Sequence, residues 1–270
     1  MCNAHNAGAN NYFLTGPYVQ STGKAHVTPE LAIANNHAWY SSIFRAHGIA
    51  GSIDEHYWST DAQPPPYHSH LVTRTCGATA REAQLRRLSE LAAHDGGRGW
   101  GFKDSFDELP SVVLQSLGLR PLFRAWWYAW AADGVAPEPE TSLAAQRVAS
   151  SEGLFSWEDD WRRSSPASEP RVFPETVLRD PNLELFAAVF EGRKAGGFAL
   201  NRSEGAVGLS NVFQLEGSGI DTGTFVRECA RQARRLHAGG AVVGYGPEDE
   251  LMSLKSLGFV ALGPLAVWVS

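Results

Sequence analysis

The strongest constraint on the fold is a pattern that occurs twice in the chain. The segments LQSLG (114–118) and LKSLG (254–258) each end a helix-like stretch, and each is followed by an apolar stretch that contains tryptophan. Glycine commonly ends a helix because it adopts a left-handed backbone without steric cost. The shared order of helix, glycine and strand predicts an internal duplication, with two halves that end in the same way.

A break between the halves is predicted near residue 133. The 270 residues suit one large domain or two domains of roughly 100–150 residues. The segment 133–141 carries Pro137, Pro139 and acidic residues, a composition typical of a linker. We therefore predict one domain over 1–132, a linker over 133–142 and a second domain over 143–270.

Both halves alternate strand-like and helix-like segments, which predicts an α/β fold with α+β character and a mixed sheet. In the first half the patterns predict helices over 29–48, 79–97 and 107–118, and strands over 67–75, 97–106 and 120–131. In the second half they predict helices over 142–163, 220–240 and 247–258, a strand hairpin that turns at 191–193, and strands over 205–213, 241–246 and 260–269.

Several classes of protein are disfavoured by composition. No run approaches the ~18 apolar residues that cross a bilayer, and the first 16 residues lack the pattern of a secretory signal, so we expect an N-terminal arm and a cytoplasmic protein. Cys2, Cys76 and Cys229 argue against a disulfide framework or a zinc cluster and for a reducing compartment. The net charge of −6 disfavours a general nucleic-acid binder.

The histidines of the YHSHL segment were considered as metal ligands. His68 and His70 are two residues apart, a spacing that places both side chains on one face of a strand. Neither has a carboxylate or cysteine beside it in the sequence, so we interpret them as ordinary polar surface. The sequence predicts no metal cofactor.

The loop NVFQLEGSG (211–219) joins a predicted strand to a predicted helix. Gly217 and Gly219 allow positive φ angles, and their backbone N–H groups can then turn inward with no side chain in the way. Inward amides at a helix N-terminus form an anion-binding nest, which the helix dipole reinforces. Glu216 and Asp221 bring opposing negative charge, and Asp221 is also a plausible N-cap. The loop is therefore a candidate cradle for phosphate.

The second half resembles the GCN5-related N-acetyltransferase (GNAT) family over nearly all of its length, from about 143 to 270. The family's loop pattern, Gln/Arg-x-x-Gly-x-Gly/Ala, falls on Gln214, Gly217 and Gly219, with Ser218 between the glycines. The segment LKSLGF resembles the family's penultimate helix. The first half looks like a degenerate copy that has no comparable glycine loop.

The resemblance implies an N-acyltransferase. The loop amides would hold the pyrophosphate of coenzyme A, and the backbone of Val212 and Phe213 would lie beside the pantetheine arm. The donor would be a phosphopantetheine thioester, either acyl-CoA or an acyl carrier protein, and the acceptor would be the amine of a small molecule. Lys255 is a candidate for contact with a donor phosphate. A membrane partner is not expected, and nucleic acid is disfavoured.

The chain departs from the family at the expected proton donor. The family's tyrosine, four residues before the glycine of the Gly-Phe pair, corresponds here to Leu254. Tyr245, Ser253 or a water molecule are candidates to protonate the thiolate instead. Ser210 and Asn211, near the end of the central strand, are candidates to orient the substrate or a water.

Two further features suggest how partners are held. The helix after the loop carries a basic cluster that is a candidate landing patch for a carrier protein, consisting of Arg227, Arg231, Arg234 and Arg235. Aromatic residues that are candidates to shape the acceptor pocket are Trp39, Tyr40, Tyr57, Trp58, Trp157 and Trp161. The alternative functions are a thioester-processing enzyme such as a decarboxylase, and a non-catalytic acyl-CoA-binding module.

Overall fold

A computed structural model describes residues 27–94, 99–131, 139, 141–164 and 171–270. The predicted N-terminal arm and most of the predicted linker 133–142 lie outside these residues. Within them, six α-helices and one short 3₁₀-helix are present. The α-helices are α1 (Pro29–Ala46), α2 (Ala78–His94), α3 (Ser111–Ser116), α4 (Ser151–Ser164), α5 (Thr222–Leu236) and α6 (Glu248–Lys255), and the 3₁₀-helix is Glu175–Arg179.

The strands of the described residues form one mixed sheet. They are β1 (Ser52–Ile53), β2 (Tyr57–Ser59), β3 (Leu71–Thr73), β4 (Gly101–Asp104), β5 (Arg120–Trp130), β6 (Ala144–Arg147), β7 (Leu183–Phe190), β8 (Arg193–Ser203), β9 (Ala206–Gln214), β10 (Ala241–Gly246) and β11 (Val260–Val269). Their order across the sheet is β1-β2-β3-β4-β11-β5-β10-β9-β8-β7-β6. The predicted mixed α/β fold is confirmed.

Strands from the two predicted halves are interleaved at the centre of this sheet. β5, from the first half, pairs with β10 on one side and β11 on the other. β11, from the second half, pairs in turn with β4. Each half also contributes one parallel pair, β3 with β4 and β9 with β10. The halves therefore share one hydrogen-bonded sheet, and the duplication itself stays a prediction.

The helices cover both faces of the sheet. On one face, α1 and α4 bury large aromatic side chains against each other and the sheet, including Trp39, Phe44 and Trp157. On the other face, α5 and α6 pack over a second core that includes Phe225 and Leu254. Alternation along a strand explains this division, because neighbouring side chains point to opposite faces. Trp127 of β5 accordingly faces α1, whereas Tyr128 faces α6.

The structure corrects the predicted helix over 142–163. Its first part is strand β6, which pairs antiparallel with β7, and the helix begins at Ser151. The alanines of this segment favour a helix locally, but pairing at the edge of the sheet overrides that preference. The remaining predicted strands and helices of the second half are confirmed, including the hairpin turn, where Glu191 and Gly192 adopt positive φ.

Two other expectations are wrong. His68 and His70 are not exposed polar surface, because His70 is buried and His68 is half-buried; both lie in the loop before β3 and not in a strand. Cys76 is disulfide-bonded, so the expectation of reduced cysteines does not hold there, while Cys229 is a buried free thiol. Within the described residues, no helix has the length and apolar character to span a membrane, and no three His, Cys, Asp or Glu side chains cluster as metal ligands would.

Candidate functional site

The site begins where two parallel strands separate. β9 and β10 pair through residues 206–208 and 241–243. Beyond that point β10 continues along β5 and β9 continues along β8, which leaves an opening between β9 and β10. Gly244 lies at this opening, and a Cβ placed on it would come within 2.8 Å of the Leu209 carbonyl oxygen. The strands diverge at a position that only glycine fits.

A bulge bends β9 beside the opening. Gly197 of β8 pairs with Phe213, but Ala199 pairs with Ser210, so two residues of β9 lie opposite the single residue between them on β8. One of the two, Asn211, adopts the left-handed backbone with a φ of 49°. An extra residue of this kind interrupts the ladder and redirects the strand. The candidate residues Ser210 and Asn211 therefore lie at a distorted part of the strand.

The glycine loop is held in shape by its own side chains. Gly217 and Gly219 have φ values of 71° and 80°, which confirms the predicted positive angles. Gln214 Nε2 donates to Ser218 Oγ at 2.7 Å, and Thr222 Oγ1 donates to Gln214 Oε1 at 2.9 Å. Gln214 thus closes the loop through contacts within the loop itself.

The loop leads directly into the N-terminus of α5. Asp221 caps the helix as predicted, because its carboxylate accepts a hydrogen bond from the Thr224 backbone N–H at 2.9 Å. Hydrogen bonds from Thr224 lower the pKa of Asp221, so its carboxylate stays ionised. The loop and residues of α4 enclose a pocket of about 920 Å³, which we call the loop pocket; α4 contributes Asp160, Arg163 and Ser164. Arg163 is a cation at this pocket that sequence reasoning missed.

A second, smaller cavity lies between α1 and the diverging strands. It has a volume of about 200 Å³, and we call it the aromatic cavity. The structure brings the three candidate catalytic residues Ser210, Asn211 and Tyr245 together in its wall. Trp39, Tyr40 and Trp161 also line it, as predicted, whereas Trp58 and Trp157 belong to the packed core. Tyr57 lies in β2 and packs near Trp100 and Phe102.

A buried lysine from the first half lies behind the aromatic cavity. Lys103 of β4 is almost fully buried, and its Nζ donates to Asn36 Oδ1 and lies within hydrogen-bond distance of Tyr245 Oη, each at 3.1 Å. Asn36 and Tyr245 both line the cavity. Sequence reasoning missed Lys103 because the segment GFKD shows no motif, although a lysine inside a predicted strand of a packed sheet is a signal.

A second phenol lies on the opposite side of the opening. Tyr128 Oη donates to Glu250 Oε1 of α6 at 2.6 Å; Tyr128 is buried and Glu250 is half-buried. Burial and the adjacent carboxylate raise the pKa of Tyr128, and burial raises that of Glu250. The Tyr128 hydroxyl is 2.8 Å from the point where a Cβ on Gly244 would lie. Leu254, where the family has its tyrosine, is buried in the same core.

The predicted carrier-protein patch is wrong for two of its four arginines. Arg231 is buried and pairs with Glu228 at 2.6 Å. Arg234 is also buried, and its guanidinium donates to the Trp130 and Gly240 carbonyl oxygens. Both side chains point into the core because the helix face that carries them packs on the sheet. Only Arg227 and Arg235 of the four retain an accessible side chain.

Lys255 is not brought to the loop pocket. It lies in the last turn of α6, where its Nζ contacts Met252 Sδ at 3.2 Å. The predicted backbone contributors do lie on β9 between the two pockets. Val212 packs toward α5 and Phe213 packs edge-on against Trp157 on the opposite face.

His68 is held as a neutral imidazole in the wall of the aromatic cavity. Its Nδ1 is 2.9 Å from the Pro66 carbonyl oxygen, and its Nε2 accepts from Trp39 Nε1 at 3.2 Å. Burial lowers its pKa to about 4. A depressed histidine pKa means that the unfolded chain binds a proton first as the pH falls, so stability is lost on acidification.

We therefore expect the free energy of unfolding to fall by about 3 kcal/mol on account of His68 as the pH decreases from 6.5 to about 4. Urea unfolding of wild type and His68→Gln across this range measures the effect as a difference between the two proteins. Comparison with the variant cancels the opposite contribution of Asp104, whose pKa burial raises to about 6. Parallel pH profiles for the two proteins would contradict the expectation.

No protein-family model matches the sequence, and no curated protein matches it. The structure is similar to a GCN5-related N-acetyltransferase from Kribbella flavida, with a TM-score of 0.61, 14% identity and coverage of 89% of this chain and 95% of the other. It is also similar to a functionally unknown conserved protein from Staphylococcus epidermidis, with a TM-score of 0.56, 14% identity and coverage of 84% and 96%.

These similarities extend over most of each chain, so they concern the whole sheet and not one half of it. At this level of identity they establish the fold. The diverging strands, the bulged central strand and the glycine loop before α5 occur in a protein with the fold of the GCN5-related N-acetyltransferases.

Proposed function

We propose that this protein is an acyltransferase that moves an acyl group from acyl-CoA to the amine of a small molecule. The observation that carries the proposal is the course of β9. Its residues Leu209–Asn211 line the aromatic cavity and Gln214 lines the loop pocket. The edge of β9 that no longer pairs with β10 therefore leads from the loop pocket to the aromatic cavity, as a long thioester donor requires.

The chemistry of the loop pocket supports a phosphorylated donor. The positive-φ loop leads into the N-terminus of a 15-residue helix, whose dipole supplies partial positive charge without a metal. At the rim, Arg163 and Lys194 both pair with Asp160, so these three side chains together carry one net positive charge. Asp160, in the same rim, is paired with Lys194 at 2.7 Å, which offsets its repulsion of phosphate.

We favour coenzyme A over a carrier protein as the donor, because part of the basic surface that a carrier protein would need is buried. A carrier protein needs an exposed basic surface, and two of the four arginines that the sequence offered for it are buried. Free coenzyme A could bind with only the glycine loop and the opening between β9 and β10. Mass spectrometry after incubation with a CoA-bound and a carrier-bound acyl group would separate the donors, and transfer from the carrier alone would contradict this choice.

The proposed reaction needs proton transfer on each side of the opening. The amine nitrogen attacks the thioester carbonyl carbon; the C–N bond forms, the C–S bond breaks, and the sulfur leaves with the electron pair. The amine loses a proton on the side of Ser210, Asn211 and Tyr245. The thiolate gains one, for which we propose the hydroxyl of Tyr128, and exchange with solvent balances the two.

Substitution of the loop glycines tests the cradle. We expect Gly217→Val and Gly219→Val each to weaken CoA binding about tenfold or more, because a non-glycine residue at these φ angles costs about 1–2 kcal/mol and blocks the amides. Isothermal titration calorimetry with CoA measures this. Gly239→Val is the matched control, since Gly239 also has positive φ and free space around its Cα but lies past the other end of α5. Equal affinities in all four proteins would exclude the cradle.

Activity is tested with acetyl-CoA and a panel of small primary amines, with thiol release and product mass as readouts. An amide product supports the proposal. Thiol release without an amide indicates another thioester-processing reaction, and CoA binding without turnover indicates a binding module. The aromatic cavity favours small acceptors, because its volume of about 200 Å³ is below the range of roughly 300–1,000 Å³ that is usual for larger ligands.

A further inference from the structure

Lys103 is a buried lysine that has no carboxylate beside it among the described residues. Its side chain is 3% exposed, and within the described part of the chain no carboxylate lies at ion-pair distance from its Nζ. A buried ammonium without a counter-charge is costly, so such a lysine tends to lose its proton. Desolvation by burial lowers the pKa of Lys103 accordingly.

The surroundings of Lys103 are polar but uncharged groups and aromatic rings. Its Nζ lies 4.1 Å from the ring centre of Tyr245, 5.3 Å from that of Tyr40 and 6.0 Å from that of Trp127. Asn36 of α1 accepts a hydrogen bond from it. Of the nearby histidines, His37 is buried and His68 is half-buried; desolvation lowers their pKa values to about 3 and about 4, so both are neutral near pH 7. The rings would stabilise an ammonium that forms transiently.

Tyr245 alone is poorly suited to accept a proton. Burial and the charge of Glu250 raise its pKa to about 12, so its hydroxyl keeps its proton near neutral pH. A protonated phenol can take a proton from an amine only if it passes its own proton on. Lys103 Nζ, 3.1 Å from the phenol oxygen, is in position to receive it.

We propose that Lys103 is a positioning residue for amine deprotonation, acting through Tyr245 as the second member of a proton relay. This inference rests on the proposed function. An N–H bond of the bound ammonium breaks and leaves its electron pair on nitrogen. The Tyr245 oxygen takes that proton as its own proton moves to Nζ, which forms an N–H bond and becomes an ammonium. The lysine later returns the proton to solvent, and no oxidation state changes.

Direct titration of the lysine tests the inference without donor or acceptor. The chain has four lysines, Lys24, Lys103, Lys194 and Lys255, so a protein labelled with ¹³C at lysine Cε has few signals. Loss of one signal in Lys103→Met assigns Lys103. We expect that signal to titrate at a lower pH than the other three, because burial lowers the pKa of Lys103. Titration at or above the others would overturn the relay while leaving the proposed function intact.

Kinetics with acetyl-CoA and the best amine of the panel test the role in turnover. We expect Lys103→Met and Tyr245→Phe each to lower kcat about 10²–10³-fold and to remove the rise of kcat with pH, with no further loss in the double variant. Lys103→Arg should stay equally slow, because a guanidinium keeps its proton. Wild-type rates in Lys103→Arg, or a loss below threefold in Lys103→Met, would overturn the inference.

Unchanged CoA affinity by calorimetry shows that each variant is folded. If the wild type formed no amide with any amine of the panel, both the proposed function and the Lys103–Tyr245 relay would be contradicted.

Discussion

Replacement of Arg231 by alanine is expected to lower the free energy of unfolding by about 3–5 kcal/mol, the usual cost of leaving one partner of a buried ion pair. Its side chain is 4% exposed and that of its partner, Glu228, is 0% exposed. Removal of the arginine takes away a hydrogen-bonded cation from a fully buried carboxylate, and water does not reach the site to replace the contact. Urea unfolding measures the loss.

The same helix supplies the control for this prediction. Arg235→Ala should change the free energy of unfolding by less than about 0.5 kcal/mol, because Arg235 is exposed. Replacing both members of the pair, as Arg231→Met with Glu228→Leu, should recover part of the loss. Equal stability of Arg231→Ala and Arg235→Ala would contradict the buried ion pair and support the exposed basic patch that the sequence predicted.

The second large effect is expected at the strand opening, where Gly244→Ala should lower acyl transfer about 100-fold. The new Cβ would lie 2.6 Å from Tyr128 Cε2 and 2.8 Å from the Leu209 carbonyl oxygen, so the ring and β9 must move. Displacements of about 1 Å at a reacting centre are worth roughly two orders of magnitude in rate. Thiol release from acetyl-CoA with the best amine measures the effect.

Gly240→Ala is the matched control, four residues earlier in the chain. A Cβ there lies 3.6 Å from the Ala206 backbone, which is ordinary van der Waals contact. Thermal unfolding of both variants separates a loss of turnover from a loss of fold. If Gly244→Ala turned over within threefold of wild type, the opening between β9 and β10 would not be the path of the donor.

Local sequence signals were sufficient for the glycine loop. Gly217 and Gly219 have few alternatives to a positive-φ turn, and an Asp before a long amphipathic stretch is a strong N-cap signal. Asp221 and α5 are therefore found where they were predicted. The segment before α4 was misread for the opposite reason, since β6 forms through pairing with β7, which no local signal reports.

In the candidate site, too, some residues were predicted from local sequence signals and one was not. The sequence placed three residues in the site because they lie near the ends of predicted strands, namely Ser210, Asn211 and Tyr245. The structure brings all three to the aromatic cavity. Lys103 was not placed there, because the segment GFKD shows no motif and a lysine inside a predicted strand does not reveal which residues it will meet. It reaches Tyr245 across 142 residues, and only the pairing of β4 with β11, β11 with β5 and β5 with β10 brings them together.

The sequence by itself determined the order of strands and helices from β7 to β11, the glycine loop with its capped helix, and the resemblance to the acetyltransferase fold. Periodicity and turn chemistry act over a few residues, so they can be read from the chain directly. Only the tertiary structure decided that the halves share one sheet, that Arg231 and Arg234 are buried, and that Lys103 lies behind the aromatic cavity. Those facts depend on which strands pair and which helix face meets the sheet, and both are set by contacts between residues far apart in sequence.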